Sequence, residues 1–316
     1  MAAIAISLII EGQNGLTWPR WQRLIAEAEQ LGFAGLFRSD HFTNGQGPLL
    51  AALESVVSLS YLADHTQRIH FGPLVAPLSF RDPTLLASQA LALDDLSGGR
   101  MILGVGAGWQ AREHAMFGHD LGDVSTRMAR LEEGLEVLTR LLRSDEPTSY
   151  QGRFYQLQDA MLLPRPRRRG GPPLLIGGNG VRRTLPLAAR YADIWNAVAV
   201  TPDEFRSLST QLDDLLRVAG RPLDAVRRTL MNNIVFAANR EGLAEKLAVS
   251  DVGSALEEAV VSVQASRRNI VGTPEMAREQ IAAYAEAGVE ELMLQWLDLD
   301  DIAGLRAFAQ TVIAAL

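Results

Sequence analysis

The sequence predicts one α/β domain over residues 1–316, folded as a (β/α)8 TIM barrel with insertion segments, and three observations predict it. Strand-like and helix-like segments alternate from one end to the other, making eight βα units. The strand-like runs are continuously apolar, the pattern of a parallel sheet covered on both faces. No Pro-, Gly- or Ser-rich linker divides the chain, and 316 residues suit one large barrel. A chain of this length buries roughly 75% of its unfolded surface, so it needs no staples.

The elements follow in order. Residues 4–10 are an apolar run. Residues 18–31 place Trp21, Leu24, Ile25, Ala28 and Leu31 at helical spacing. Residues 35–37 read as the second strand and 49–63 as its helix. The third strand covers 69–75, and Pro83 opens a helix that runs to Leu96 and stops at Gly98 and Gly99. The fourth strand is 101–106, followed by a long helix over 127–142. The fifth is 174–177 with a helix over 182–191. The sixth is 194–200, after which Pro202 opens a helix. The seventh is 230–237, the eighth 292–297, and a helix over 302–316 closes the chain. The long connections are 107–126, 150–173 and the stretch from 237 to 273. In the second of these, 152–157 and 160–163 are expected to pair as a hairpin.

Composition removes several functions. There is no cysteine, which excludes disulfides, thiolate metal sites and a cysteine nucleophile. The net charge of −7 argues against nucleic acid. The apolar first ten residues lack a basic flank and run into Glu11, so neither a signal peptide nor a membrane span is expected, and the expected location is cytoplasmic. No His, Asp and Glu spacing suits a metal, and no G-x-S-x-G is present, so a metal centre and nucleophilic hydrolysis are not expected.

In a barrel of this kind the active site lies on the loops that follow the strands. The fourth strand ends in "ILGVGAGW", residues 102–109. Glycine weakens a strand interior, yet three stand at 104, 106 and 108, on one face by the period of two. Leu103 and Val105 face the helices, so Gly104 and Gly106 face inward near the mouth. Two explanations compete: close packing between strands, or a mouth emptied for a flat ligand lying against Gly106, Ala107 and Gly108. The spacing is not the G-x-G-x-x-G of a dinucleotide fold, and no G-K-[ST] marks a P-loop.

"IGGNG" at 176–180 joins the fifth strand to its helix. Gly177, Gly178, Asn179 and Gly180 would present backbone N–H groups at a helix start, where phosphate binds, and Arg182 and Arg183 follow. Cations are disfavoured at a helix N-terminus unless an anion lies between, so the alternatives are a phosphate site or a tight turn with solvated arginines. At the end of the second strand, His41 beside Asp40 is a candidate proton donor or acceptor. His65 and His70 fall at the wrong end of the barrel, while His114 and His119 lie in the loop after Trp109. Pro73 and Pro77 bracket Leu74, Val75 and Ala76, and prolines within a central strand imply irregular backbone there. The basic run Arg165, Arg167, Arg168 and Arg169 precedes a strand and reads as a solvated loop on the far face.

These residues also carry a resemblance. "EAEQLGFAGLFRSDHF", "RDPTLLASQALALDDLSGGRMILGVGAGW", "RMARLEEGLEVLTRLL", "PPLLIGGNGVRRTLPLAARYADIWN" and "VGTPEMAREQIAAYAEAGVEELMLQW" resemble the bacterial luciferase-like flavin and deazaflavin oxidoreductases over nearly the whole chain, with "LSGGR…LGVGAGW" the most specific segment. The nearest branch uses coenzyme F420, a deazaflavin. The resemblance implies an isoalloxazine-like ring at the mouth and a non-proline cis peptide behind it, within 73–76. It implies cofactor phosphate at Gly177–Gly180, an active-site role for His41, a small-molecule substrate and a homodimer. Sugar-phosphate-oxidising members carry a glutamate after the third glycine; Trp109 stands here instead, as a wall of the substrate pocket. Hydride transfer with F420 is the leading expectation. An FMN-dependent monooxygenase using reduced flavin and oxygen, and a non-catalytic flavin-binding barrel, are the alternatives.

Overall fold

The computed structural model describes residues 4–250, 252–267 and 269–316. The elements in chain order are β1 (Ala5–Ile10), α1 (Trp18–Gln30), β2 (Gly35–Arg38), α2 (Ser55–His65), β3 (His70–Pro73), β4 (Ala76–Pro77), α3 (Pro83–Leu96), β5 (Leu103–Gly106), α4 (Ala111–Phe117), α5 (Val124–Arg143), β6 (Thr148–Gln151), β7 (Gln156–Ala160), β8 (Leu174–Gly177), α6 (Thr184–Tyr191), β9 (Ile194–Val198), α7 (Pro202–Val218), β10 (Arg227–Phe236), α8 (Arg240–Lys246), α9 (Ser254–Arg267), β11 (Ile270–Gly272), α10 (Pro274–Glu286), β12 (Glu291–Gln295) and α11 (Ile302–Thr311).

The parallel strands run in the order β3-β2-β1-β12-β10-β9-β8-β5-β4. β3 and β4 are two halves of one interrupted strand, and a bridge between Phe71 and Met101 joins the ends of the path. The result is the expected eight-stranded barrel. Ile9, Phe37, Ile102, Leu175, Ile194 and Met293 fill its interior, while Leu8, Leu36, Leu103, Val105 and Ile176 pack outward into the helix layer. The alternation of strand side chains therefore separates two apolar cores. Lys246, the only lysine, ties α8 to the barrel by donating to Phe236 O at 2.8 Å and pairing with Asp301.

Several boundaries differ from expectation, each for a local reason. The helix expected from 49 begins at Ser55, because Glu54 caps it by accepting from Val57 N at 2.7 Å. Residues 107–126 contain α4, and α5 starts early because Asp123 caps it by accepting from Thr126 N. The hairpin pairs β6 with β7 rather than 152–157 with 160–163. Its turn is set by Glu133, which accepts from Arg153 N and Phe154 N at 3.0 and 2.8 Å. The helix after β8 starts at Thr184, so Arg182 precedes it and Arg183 is its N-cap. β9 stops at Val198, and Ala199 has φ +49°. The last helix ends at Thr311, before a short 3-10 turn. β11, which adds to β10, was not expected.

Candidate active site

The third strand is interrupted by a cis peptide between Leu74 and Val75, the irregularity the prolines implied. Val75 leaves the strand line and enters the barrel mouth. A Cβ on Gly106 would lie 2.6 Å from Val75 Cγ2, and one on Gly177 would lie 3.3 Å from Val75 Cγ1. A Cβ on Gly104 would lie 2.2 Å from Pro73 O. The inward glycines are thus bare because the interrupted strand occupies that space. Close packing between strands accounts for the bare face at Gly104, while Gly106 also borders the open mouth. Gly108 lies beyond β5 with φ +80° and approaches Ser79, so it does not share that strand face.

Above Val75 opens a cavity of about 670 Å³, to which every strand of the barrel contributes. Glu11 follows β1, and Ser39 and His41 follow β2. Leu74, Val75 and Pro77 come from the interruption, and Gly106, Ala107, Gly108 and Trp109 from the end of β5. Gly177 and Gly178 follow from β8, Asn196 and Val198 from β9, Met231 and Asn233 from β10, and Gln295 and Leu297 from β12. The size and the mix of apolar walls with a few polar groups are those of a small-molecule site.

His41 Nδ1 lies 2.8 Å from Glu113 Oε1. Glu113 is 1% exposed, and its other oxygen accepts from Phe42 N at 3.0 Å. Burial works against the charged imidazole, but the hydrogen bond and charge of Glu113, with smaller contributions from Glu11 and Asp40, outweigh it and raise the His41 pKa above its ordinary 6.5. Trp109, 67% exposed, stands edge-on to His41 with ring centres 5.6 Å apart. Across the mouth, Glu11 accepts from Gln13 Nε2 at 2.5 Å and from Gln295 Nε2. Gln13 Oε1 in turn accepts from Ser39 Oγ at 2.6 Å. Asn196 donates to Thr229 Oγ1 at 2.8 Å. Among the described residues, the buried Asn233 Oδ1 has no partner, and an unpaired acceptor beside a cavity is what a ligand N–H would satisfy.

Other expected residues are placed differently. Asp40 is not the partner of His41, because Arg81 takes both its oxygens at 2.8 and 2.7 Å, and it does not line the cavity. Ala76 is buried with its side chain in the outer core. Asn179 spends its side chain on β9, donating to Val198 O at 2.7 Å and accepting from Val198 N at 2.9 Å. Gly180, Arg182 and Arg183 are exposed beside the cavity rather than within its walls. His114 is buried and held by Gln110 O and Ser79 Oγ, while His119 packs among Phe42 and Phe80. The basic run lies on the far face but is not simply solvated. Arg165 donates to Leu141 O and Leu142 O at the end of α5, Arg167 pairs with Asp95, and Arg168 holds Asp94 and Gly99 O. Sequence reasoning passed over Glu113, Glu11, Asn196, Asn233 and Gln295. Glu11 just after β1, and the polar Asn196, Asn233 and Gln295 inside β9, β10 and β12, were the available signal, whereas Glu113 on α4 had none.

The family model for luciferase-like monooxygenase matches residues 10–291. A 4-hydroxyprotoasukamycin monooxygenase of Streptomyces nodosus subsp. asukaensis is 30% identical over 233 residues, 72% of this chain and 61% of that protein's length. An F420-dependent glucose-6-phosphate dehydrogenase of Amycolatopsis mediterranei (strain U-32) is 26% identical over 313 residues, 92% of each chain. Among solved structures, an F420-dependent secondary alcohol dehydrogenase in complex with an F420-acetone adduct superposes with a TM-score of 0.82 over 99% of both chains at 19% identity, a likeness of fold.

Proposed function

The chain belongs to the luciferase-like monooxygenase family, and from that premise we propose that it is an oxidoreductase transferring hydride between coenzyme F420 and a small organic substrate. The observation that carries this reading is the cavity at the strand ends, walled on one side by Val75 and bordered by glycines 106, 177 and 178. The end-to-end match to an F420-dependent relative supports the choice of cofactor. The residues present fit such a group. Leu74 and Val75 would back its ring, Gly106, Ala107 and Gly108 would let it approach the backbone, and Asn233 Oδ1 would accept from an N–H on its edge. In the turn at 177–180 the Gly178 N–H already donates to Asn196 O at 2.9 Å, so the N–H groups of Asn179 and Gly180 would hold phosphate, with Arg182 or Arg183 beside them. When bound, the deazaflavin supplies the hydride-carrying ring.

The protein's own share is binding, orientation and a proton. His41 holds and moves that proton at the mouth. Trp109 and Leu297 wall the pocket. The charged side chains on the cavity wall are Glu11, Glu113 and His41, and neither lysine nor arginine is among them. A phosphorylated substrate would find no lysine or arginine on the wall and would meet the Glu11 carboxylate, so the favoured substrate carries no phosphate, unlike that of the glucose-6-phosphate dehydrogenase relative. We also propose that the protein acts in the cytoplasm as a homodimer, on a small molecule, without nucleic acid or membrane. The net charge of −7 supports the exclusion of nucleic acid, and among the described residues no helix is long and apolar enough to cross a membrane.

The 30% identical monooxygenase, together with an FMNH(2)-dependent dimethylsulfone monooxygenase of Pseudomonas putida 25% identical over 310 residues, favours one second reading, an FMN-dependent monooxygenase. Titrating the apo-protein with F420 and with FMN, each followed by fluorescence quenching, separates the two. Binding of F420 is the expected result; tight FMN binding with none for F420 overturns the first reading.

A further inference from the structure

The contact between Glu113 and His41 has a chemical consequence. A carboxylate can only accept hydrogen bonds, so at 2.8 Å the proton between them sits on Nδ1 of His41. Both Glu113 oxygens are engaged by consecutive residues, His41 and Phe42, which fixes the carboxylate plane. Gln110 Nε2 also approaches Nδ1, at 3.3 Å, but two donors cannot share a bond, and that amide donates to Thr43 O at 2.7 Å. Nδ1 is therefore protonated in the charged and the neutral ring alike. The neutral ring then carries its lone pair on Nε2. Among the described residues Nε2 has no protein partner, and His41 borders the cavity. Among the described residues, the ion pair with His41 is also the only one that Glu113 makes.

We infer that Glu113 is the positioning residue of the site: it locks His41 in the Nδ1–H form and leaves Nε2 as the single atom that exchanges a proton with whatever occupies the cavity. The inference rests on the reading of His41 as the acid–base group. The other charged groups facing His41 are Glu11 across the mouth and Asp40 beside it, the latter already matched by Arg81. Glu113 therefore acts through His41 and does not itself touch the reacting atoms.

The test reads the histidine directly. The chain has five histidines, so ¹⁵N-histidine labelling gives a tractable spectrum, with His41 assigned by its loss in His41→Gln. Above its titration midpoint, wild-type His41 should show a protonated Nδ1 and a bare Nε2. Glu113→Gln keeps an acceptor oxygen but removes the charge, so the tautomer should persist while the midpoint falls by about 1 to 3 pH units. Glu113→Ala should release the tautomer, and Glu113→Asp should restore part of the midpoint. The acid limb of the kcat profile should move with the midpoint. A wild-type ring protonated on Nε2, or an unchanged midpoint in a folded Glu113→Gln protein, overturns the inference. If Glu113→Gln does not fold, the wild-type tautomer decides alone. Unchanged turnover in folded His41→Gln would defeat the acid–base reading, which the tautomer measurement does not depend on.

Discussion

Replacing Gly104 and Gly106 separately by alanine should produce two different defects. A Cβ at 104 would lie 2.2 Å from Pro73 O. Carbon–oxygen contacts shorter than about 3.3 Å are rare, so the backbone of β3 or β5 must shift by about 1 Å. Backbone cannot rotate away as a side chain can. Overpacking of this kind costs about 1–3 kcal/mol, offset by about 0.4–1 kcal/mol from the stiffer unfolded chain, which leaves a net loss centred on about 1.3 kcal/mol. At Gly106 the obstacle is Val75 Cγ2 at 2.6 Å, while Val75 Cβ is 3.8 Å away. That methyl can turn, but the space open to it is the cavity. Gly106→Ala should therefore cost little stability and weaken cofactor binding about tenfold, equivalent to about 1.4 kcal/mol. Urea denaturation reads the first effect and fluorescence titration the second. Val75→Ala supplies a double-mutant cycle: it should rescue binding in Gly106→Ala, and it should not rescue stability in Gly104→Ala, where Pro73 O remains. If Gly104→Ala is as stable as wild type, or if Val75→Ala rescues both variants equally, the account of these glycines is wrong.

Four other outcomes are expected. His41→Ala should lower kcat by roughly 100-fold or more in steady-state assays. Removing whichever of Arg182 and Arg183 contacts phosphate should weaken cofactor binding about 10- to 100-fold, the size of a charge-assisted contact of about 1.5–3 kcal/mol, and should matter much less for an analogue lacking phosphate; wild-type affinity in both alanine variants would leave the site to the glycines. Because the folded pKa of His41 is raised above 6.5, its pairing stabilises the fold fully below that value and progressively less as pH rises through the folded pKa. The stability gap between wild type and His41→Gln in urea should accordingly be largest near pH 5.5 and close in alkali, and a gap that widens with pH would contradict the pairing. Light scattering at micromolar concentration should return a dimer mass, and a monomer mass would refute the homodimer.

Much of the barrel was legible because its signals are local. The apolar run at β1, the proline openings of α3 and α7 and the glycines after α3 each act on their own few residues. Boundaries slipped where a distant or capping side chain decided them. Glu54 delays α2, and Glu133 sets the turn of the β6–β7 hairpin from 20 residues away. The inward direction of Gly104 and Gly106 followed from the period of two, but the choice between close packing and an emptied mouth did not, since nothing local announces that Val75 will occupy the space.

The same division runs through the site. By itself the sequence determined that a histidine, a tryptophan and two glycine clusters would meet at one mouth, because strand order and direction in a parallel barrel place every strand's C-terminal end there. Which carboxylate serves His41 was decided only by the tertiary structure. Asp40 is adjacent in sequence, yet both its oxygens are taken by Arg81. Glu113, 72 residues away, reaches the imidazole because α4 folds back over the mouth. Glu11, Asn196, Asn233 and Gln295 likewise line one cavity only after β1, β9, β10 and β12 pair in register. Periodicity is a property of neighbouring residues, whereas a hydrogen bond across the barrel depends on ångström-scale placement set by closure of the whole sheet.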